Sequence, residues 1–154
     1  MKNLGNGSQS YSERQAVGIN IGEKLFERYC QEKGYHLTRV GFDEKDANVP
    51  NFFRLSKPLR YLPDYIVNTD TKTFVVNVKG TVNIKKEEME RVEDFEDWYS
   101  TAQAPLVYAF CLQSFDKPVF VSVQKLFDLW YEAKTDKQWN DGKIYRTLSI
   151  GESK

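Results

Sequence analysis

Two short apolar segments separated by a polar turn constrain this chain most. Residues 64–67 and 73–78 are rich in β-branched and aromatic side chains, and the Asn-Thr-Asp-Thr-Lys segment between them supplies turn chemistry. The pattern predicts a β-hairpin. Asp64 opens the first strand, while Asn77 and Lys79 close the second. Because residues two apart on a strand point to the same face, we expect these three polar side chains to meet at one end of the hairpin.

An anionic oxygen ligand beside an ammonium group suits the hydrolysis of phosphodiesters, in which a divalent ion and a cation neutralise charge developing on phosphate. Asp64 supplies the carboxylate and Lys79 the ammonium, whereas Asn77 stands where such sites usually carry a second carboxylate. The alternatives are a strand-capping role for Asp64 and an exposed strand end for Lys79. Neither alternative explains why the two residues share a face.

The 154-residue chain has the length of one domain, and its 40% hydrophobic and 14% aromatic residues indicate a packed globule. We expect a single domain over residues 1–154, with a flexible N-terminus at 1–11 and a C-terminal extension at 136–154. Its 22 basic and 22 acidic residues cancel. Contact with a polyanion would therefore be local, which argues against a nonspecific DNA coat.

The sequence shows no targeting or membrane segment. Residues 1–10 are rich in Asn, Gly and Ser, and no apolar run approaches a bilayer span, so we expect a cytoplasmic (intracellular) protein without a membrane partner. Cys30 and Cys111 lack metal-ligand spacing, which indicates buried thiols. His36 is the only histidine, which argues against zinc chemistry.

Hydrophobic periodicity divides the chain into further helices and strands. Ser12 and Gln15 have capping-box spacing at the start of a first helix, and Ser122 is a candidate cap for a last one. Residues 41–62 have no clean period and are predicted to form a long loop. The predicted helices are 12–33, 85–100 and a segment from 123, and the predicted strands outside the hairpin are 35–40, 106–112, 118–121 and, as strand or ordered tail, 144–150. The order αβββαββα indicates one layered α/β fold.

This order, with its motifs, resembles the PD-(D/E)XK nuclease superfamily, the restriction endonuclease-like fold that includes Holliday junction resolvases. The resemblance covers residues 14 to about 131. The matching motifs are Gly22-Glu23 and Gly34-Tyr35 in and after the first helix, Pro63-Asp64 at the second strand, and Asn77-Val78-Lys79 at the family's acidic-x-Lys element. The resemblance implies an αβββαβ core in which helices flank a central mixed sheet.

By this resemblance, Asp64 would ligate a divalent ion together with the Val78 backbone carbonyl, and Glu23 would contribute directly or through water. Mg²⁺ is the implied ion and Mn²⁺ the alternative, since hard oxygen donors suit both. Lys79 would orient or deprotonate the attacking water. Asn77 would offer only a neutral oxygen, which should weaken metal binding.

A carboxylate on the helix that follows would compensate for Asn77, as in some branches of this family. Glu93 lies four residues after Met89 and borders the apolar side of the helix, so it is the best candidate, with Glu90 a weaker one. The rest of the acidic run at 87–97 is expected to be solvated.

Basic and aromatic residues flank the proposed site in sequence. The candidates for DNA phosphate contacts are Arg39, Arg54, Lys57, Arg60, Lys85 and Lys86, although scattered surface cations are the alternative. Phe52, Phe53 and Tyr61 would stack on unpaired bases or else pack in the core.

The leading hypothesis is a small Mg²⁺-dependent endonuclease of DNA, encoded by a phage or mobile element, or a resolvase-like homodimer. Asp64, Lys79, Glu23 and Asn77 would form its site. The alternative is a catalytically degenerate nuclease fold that binds DNA or a protein partner, because Asn77 lacks a charge and the chain has a net charge of zero. A third and weaker hypothesis is a partner-binding inhibitor of host defence.

Overall fold

The structure is a computed structural model that describes residues 11–41, Leu59 and residues 61–151. Its elements are listed here in chain order: α1 (Tyr11–Lys33), β1 (His36–Arg39), β2 (Tyr65–Asn68), β3 (Thr73–Lys79), β4 (Asn83–Lys85), α2 (Lys86–Tyr99), β5 (Leu106–Phe110), β6 (Val119–Ser122), α3 (Val123–Ala133), β7 (Lys137–Gln138) and β8 (Ile144–Thr147). The protein is therefore α/β, as the periodicity predicts.

A five-stranded mixed sheet with the order β1-β2-β3-β5-β6 forms the centre. The predicted hairpin is confirmed, because β2 and β3 pair antiparallel with Tyr65 opposite Val76. β3 and β5 pair in parallel, from Val75 opposite Leu106 to Lys79 opposite Phe110. Parallel neighbours need a crossover connection, which here contains α2.

β5 shows how the sheet separates two apolar cores. Its residues Leu106, Tyr108 and Phe110 belong to the cluster that also contains buried residues of α2 and α3, whereas Ala109 and Cys111 belong to the cluster around α1. This alternation is the period of two expected of a strand covered on both faces. Each helix layer therefore packs on its own side of the sheet.

α1 packs on the sheet through Phe26 and Cys30, which are both buried. The Phe26 ring lies 5.4 Å from the ring of Tyr65, measured between centroids. Full burial of such a ring stabilises the fold by roughly 1.5–3 kcal/mol. Cys30 and Cys111 are both free and buried, so the prediction of buried thiols is confirmed.

A second, three-stranded sheet with the order β4-β8-β7 was not predicted. Its strands are only two to four residues long, too short to show a period. The chain beyond β8 enters the core, since Leu148 and Ile150 are buried beside α2 and α3. The segment from 136 to 151, expected as an extension, thus contributes to the core that α2 and α3 form.

Most other sequence expectations agree with the structure to within a few residues. Ser122 caps α3 as predicted, because its Oγ accepts a hydrogen bond of 3.1 Å from the Lys125 backbone N–H. The predicted loop lies largely outside the described residues, and with it lie Arg54, Lys57, Arg60, Phe52 and Phe53. No helix in the described part of the chain is long and apolar enough to cross a membrane.

Candidate functional site

A cavity of about 220 Å³ lies between α2 and the central sheet. One end of it is polar and is lined by the side chains of Asp64, Asn77, Lys79, Glu88 and Tyr108. Three of these are the residues predicted to meet at the hairpin end. Asn77 lies opposite Tyr108 in the parallel register of β3 and β5, which places both on the face that α2 covers.

Asp64 directly precedes β2 and connects the ends of the two hairpin strands. Its backbone N–H donates to the Val76 carbonyl at 3.1 Å and to Asn77 Oδ1 at 3.3 Å. Its carboxylate Oδ2 accepts a hydrogen bond of 2.8 Å from the Val78 backbone N–H. Asp64 therefore does cap a strand, and it does so from within the cavity.

Burial raises the pKa of Asp64 from its ordinary value of 3.8 to about 6. The hydrogen bond from Val78 and the charges of Lys79 and Arg39 lower this pKa, while the charge of Glu23 raises it further. Desolvation outweighs these cations because the carboxyl group lies away from solvent. A carboxylate kept in an environment that disfavours its charge is a typical feature of a functional site.

Lys79 and Glu88 form a mostly buried ion pair in the cavity. Lys79 Nζ donates to Glu88 Oε1 at 2.7 Å, and the two side chains are 11% and 14% exposed. The Tyr108 hydroxyl donates to the other oxygen of Glu88 at 3.3 Å. The alternative of an exposed strand-end lysine is therefore wrong for Lys79.

The pKa values of this cluster favour a charged Glu88 and a neutral Tyr108. Burial opposes the ionisation of Glu88, but the charge and hydrogen bond of Lys79, with help from Arg91 and Lys85, lower its pKa below the ordinary value. Burial and the charge of Glu88 raise the pKa of Tyr108 well above its usual range. Tyr108 thus remains a hydrogen-bond donor.

Glu88, rather than Glu93, brings a carboxylate of α2 to the strand ends. Glu93 is exposed and does not line the cavity, and Glu90 is exposed as well, so the direction predicted for Glu93 is wrong. Glu88 lies four residues before Val92, which is buried, and therefore projects from the same helix face. That spacing was the signal available in the sequence.

Glu23 reaches the neighbourhood of the site through a close contact between glycines. A Cβ atom at Gly22 would lie 2.9 Å from the Gly80 Cα atom, so α1 approaches the end of β3 more closely than any larger residue would permit. The Glu23 charge acts on Asp64. Glu23 itself is not among the residues that line the cavity and pairs with Arg39 at 2.8 Å.

The cations predicted to contact DNA are only partly described. Arg39 is half-exposed, and besides Glu23 its guanidinium donates to the Tyr65 hydroxyl at 3.1 Å. Lys85 immediately precedes α2 and lies 3.8 Å from Glu87. Both residues flank the polar end of the cavity in sequence and would have to exchange these partners to contact a phosphate.

Three side chains of this site carry oxygen atoms of the kind that bind hard divalent ions. Asp64, Asn77 and Glu88 offer hard oxygen atoms around one cavity, and Mg²⁺ is commonly held by one or two carboxylates with water and substrate phosphate. Among the described residues there is no group of three or more His, Cys, Asp and Glu side chains that would hold a metal.

A scan against protein-family models and a search of the curated proteins find no match to this chain.

Proposed function

We propose that this protein is a metal-dependent nuclease that hydrolyses DNA phosphodiester bonds, built on a restriction endonuclease-like core. The observation that supports it is the convergence of Asp64, Lys79 and Glu88 on one cavity beside Asn77. Two carboxylates and one ammonium from separate elements enclose a space open to a ligand. If the resemblance to PD-(D/E)XK nucleases holds for this site, Glu88 would supply the carboxylate that Asn77 lacks.

Mg²⁺ or Mn²⁺ would be held by Asp64, Asn77 and Glu88, and when bound it would supply charge neutralisation for the phosphate and acidify a water molecule. The protein's own groups have distinct roles beside it. The hydrogen bond from the Val78 N–H fixes the orientation of the Asp64 carboxylate. The Tyr108 hydroxyl fixes that of Glu88.

Lys79 would stabilise charge on the phosphate or orient the attacking water. In the described state its ammonium is paired with Glu88 at 2.7 Å. If Glu88 bound a cation, the Lys79 ammonium would be available to an anionic oxygen, since preorganised charge in a poorly solvated site acts strongly on developing negative charge. The ion pair holds Lys79 and Glu88 beside each other in the cavity.

Cleavage assays on single-stranded, duplex and branched DNA, with Mg²⁺, Mn²⁺ or EDTA, test the proposal. We expect metal-dependent cutting that is lost in Asp64→Ala and Glu88→Gln and kept in Glu93→Gln, the matched control on the exposed face of the same helix. Cleavage that survives in Asp64→Ala, or in EDTA, would contradict the assignment.

A second candidate is a catalytically inactive DNA-binding or protein-binding module, which is favoured because the polar groups of the site bond to each other. Asn77 Oδ1 accepts from the Asp64 N–H, Asp64 accepts from Val78, and Lys79 pairs with Glu88. DNA retention without cutting at any metal concentration would favour this module. A gain of cutting in Asn77→Asp would identify Asn77 as the cause.

A further inference from the structure

The cavity continues well beyond its polar end, along one face of α2. Glu88, Arg91, Phe95 and Tyr99 all line it, and their spacing of three, four and four residues places them on a single helix face. At 1.5 Å per residue, this face runs for about 16 Å. The space beside the candidate site is therefore an elongated groove with room for more than a phosphate.

The far part of this groove is aromatic. Phe95 and Tyr99 line it about two and three helix turns beyond Glu88, and Tyr61 lines the groove beside Arg91. The Arg91 guanidinium lies 4.2 Å from the centroid of the Tyr61 ring, a cation–π contact that holds this ring as a wall of the groove. All three aromatic residues are only partly buried, so each of them exposes part of its surface.

Charges of opposite sign line the groove beyond its polar end, because both Arg91 and Glu96 are there. Glu96 lines the groove one turn from Val92, and its carboxylate would repel a phosphate there. Aromatic rings and an arginine plane are the groups on which nucleic-acid bases stack, whatever their sequence. The polar end thus suits a phosphate and the far end suits a base.

We infer that the aromatic half of this groove, formed by Tyr61, Phe95 and Tyr99, is a subsite for one unpaired base next to the scissile phosphate. The inference rests on the proposed nuclease function and adds the substrate class: DNA with a nucleotide outside a duplex. A base within a duplex would first have to be unstacked and unpaired, at a cost of a few kcal/mol.

The test uses single-stranded DNA of mixed sequence and a matched set in which one nucleotide lacks its base, with that position moved along the strand. In Mg²⁺, we expect cleavage by the wild-type protein to fall about tenfold when the missing base is next to the cut, as loss of one stacking contact predicts. The Tyr61→Leu variant should cleave the intact strand about tenfold less than the wild type does. Its cleavage should not depend on whether the base is missing. Tyr61→Phe, which keeps the ring, should behave as the wild type does.

Trp98→Leu is the matched control, because Trp98 lies on the same helix but is 70% exposed and outside the groove. Phe95→Leu provides a second test should Tyr61→Leu fail to fold. Cleavage that ignores the missing base at every position, or that still responds to it in both leucine variants, overturns the subsite and leaves the nuclease proposal intact.

Binding of the same strands, measured by fluorescence anisotropy in Mg²⁺ and in EDTA, separates the two proposals. Affinity that depends on the base and on the Tyr61 ring, without any cleavage, supports the subsite and overturns the nuclease function. If the protein shows no cleavage and no base-dependent binding, both the subsite and the nuclease function are overturned.

Discussion

Replacing Asp64 by Asn should stabilise the metal-free protein at neutral pH. The carboxyl group has a pKa of about 6 in the folded chain against an ordinary value of 3.8, chiefly because it is buried. A difference of about two pH units corresponds to roughly 3 kcal/mol of unfolding free energy. An asparagine amide has no charge to desolvate, and its oxygen can still accept the hydrogen bond from the Val78 N–H.

The sign of the effect follows from proton linkage. The folded-state pKa of Asp64 lies above the unfolded value, so the folded protein binds this proton more tightly. The stabilisation associated with the proton is complete below about pH 4 and is lost as the pH rises through about 6. Asp64→Asn has no carboxyl group at this position and does not lose this stability. Its free energy of unfolding should therefore exceed that of the wild type by an amount that grows from near zero at about pH 4 to roughly 3 kcal/mol above about pH 6.

Urea denaturation at several pH values, in EDTA and in Mg²⁺, measures this difference. A bound cation stabilises the folded state by mass action, so Mg²⁺ should raise the stability of the wild type and leave Asp64→Asn unchanged. Asp97→Asn, at an exposed position of α2, is the control and should show neither effect. Equal pH profiles for Asp64→Asn and the wild type would refute the reasoning.

Three further substitutions test other contacts by the same denaturation assay. Glu88→Gln removes the charge that pairs with mostly buried Lys79 and should cost roughly 3 kcal/mol; a loss no larger than that of exposed Glu93→Gln, expected below about 0.5 kcal/mol, would show the pair to be unimportant. Gly22→Ala should destabilise by about 1–3 kcal/mol because its Cβ meets Gly80, and net stabilisation, as helix propensity alone predicts, would contradict the close contact. Ser122→Ala should cost about 1 kcal/mol by removing the cap of α3, and an unchanged midpoint would exclude that role.

Local patterns explain why much of the fold and part of the site could be predicted. The hairpin could be predicted because its strands are rich in β-branched residues and its turn is polar. The period of two predicted that Asp64, Asn77 and Lys79 lie on one face. Those three side chains line one cavity in the structure. Strand alternation needs only the backbone geometry of the strand itself, so neighbouring residues carry the whole signal.

Local patterns could not show which acidic residue of α2 enters the cavity. Seven Asp and Glu side chains occur between 87 and 97, and each would be acceptable on a solvated helix face. Which one enters the cavity depends on the rotation of α2 against the sheet, and that rotation is set by the burial of Met89 and Val92. Sequence reasoning chose Glu93, whereas packing brings Glu88 to Lys79.

Short-range periodicity was sufficient to predict the order of the larger elements, the hairpin and the common face of its polar residues. The small sheet, the approach of Gly22 to Gly80 and the groove between Glu88 and Tyr99 could not be predicted in this way. Each of these joins residues distant in the chain, and their positions follow from how whole helices and strands pack. Packing of that kind leaves no periodic trace in any one segment.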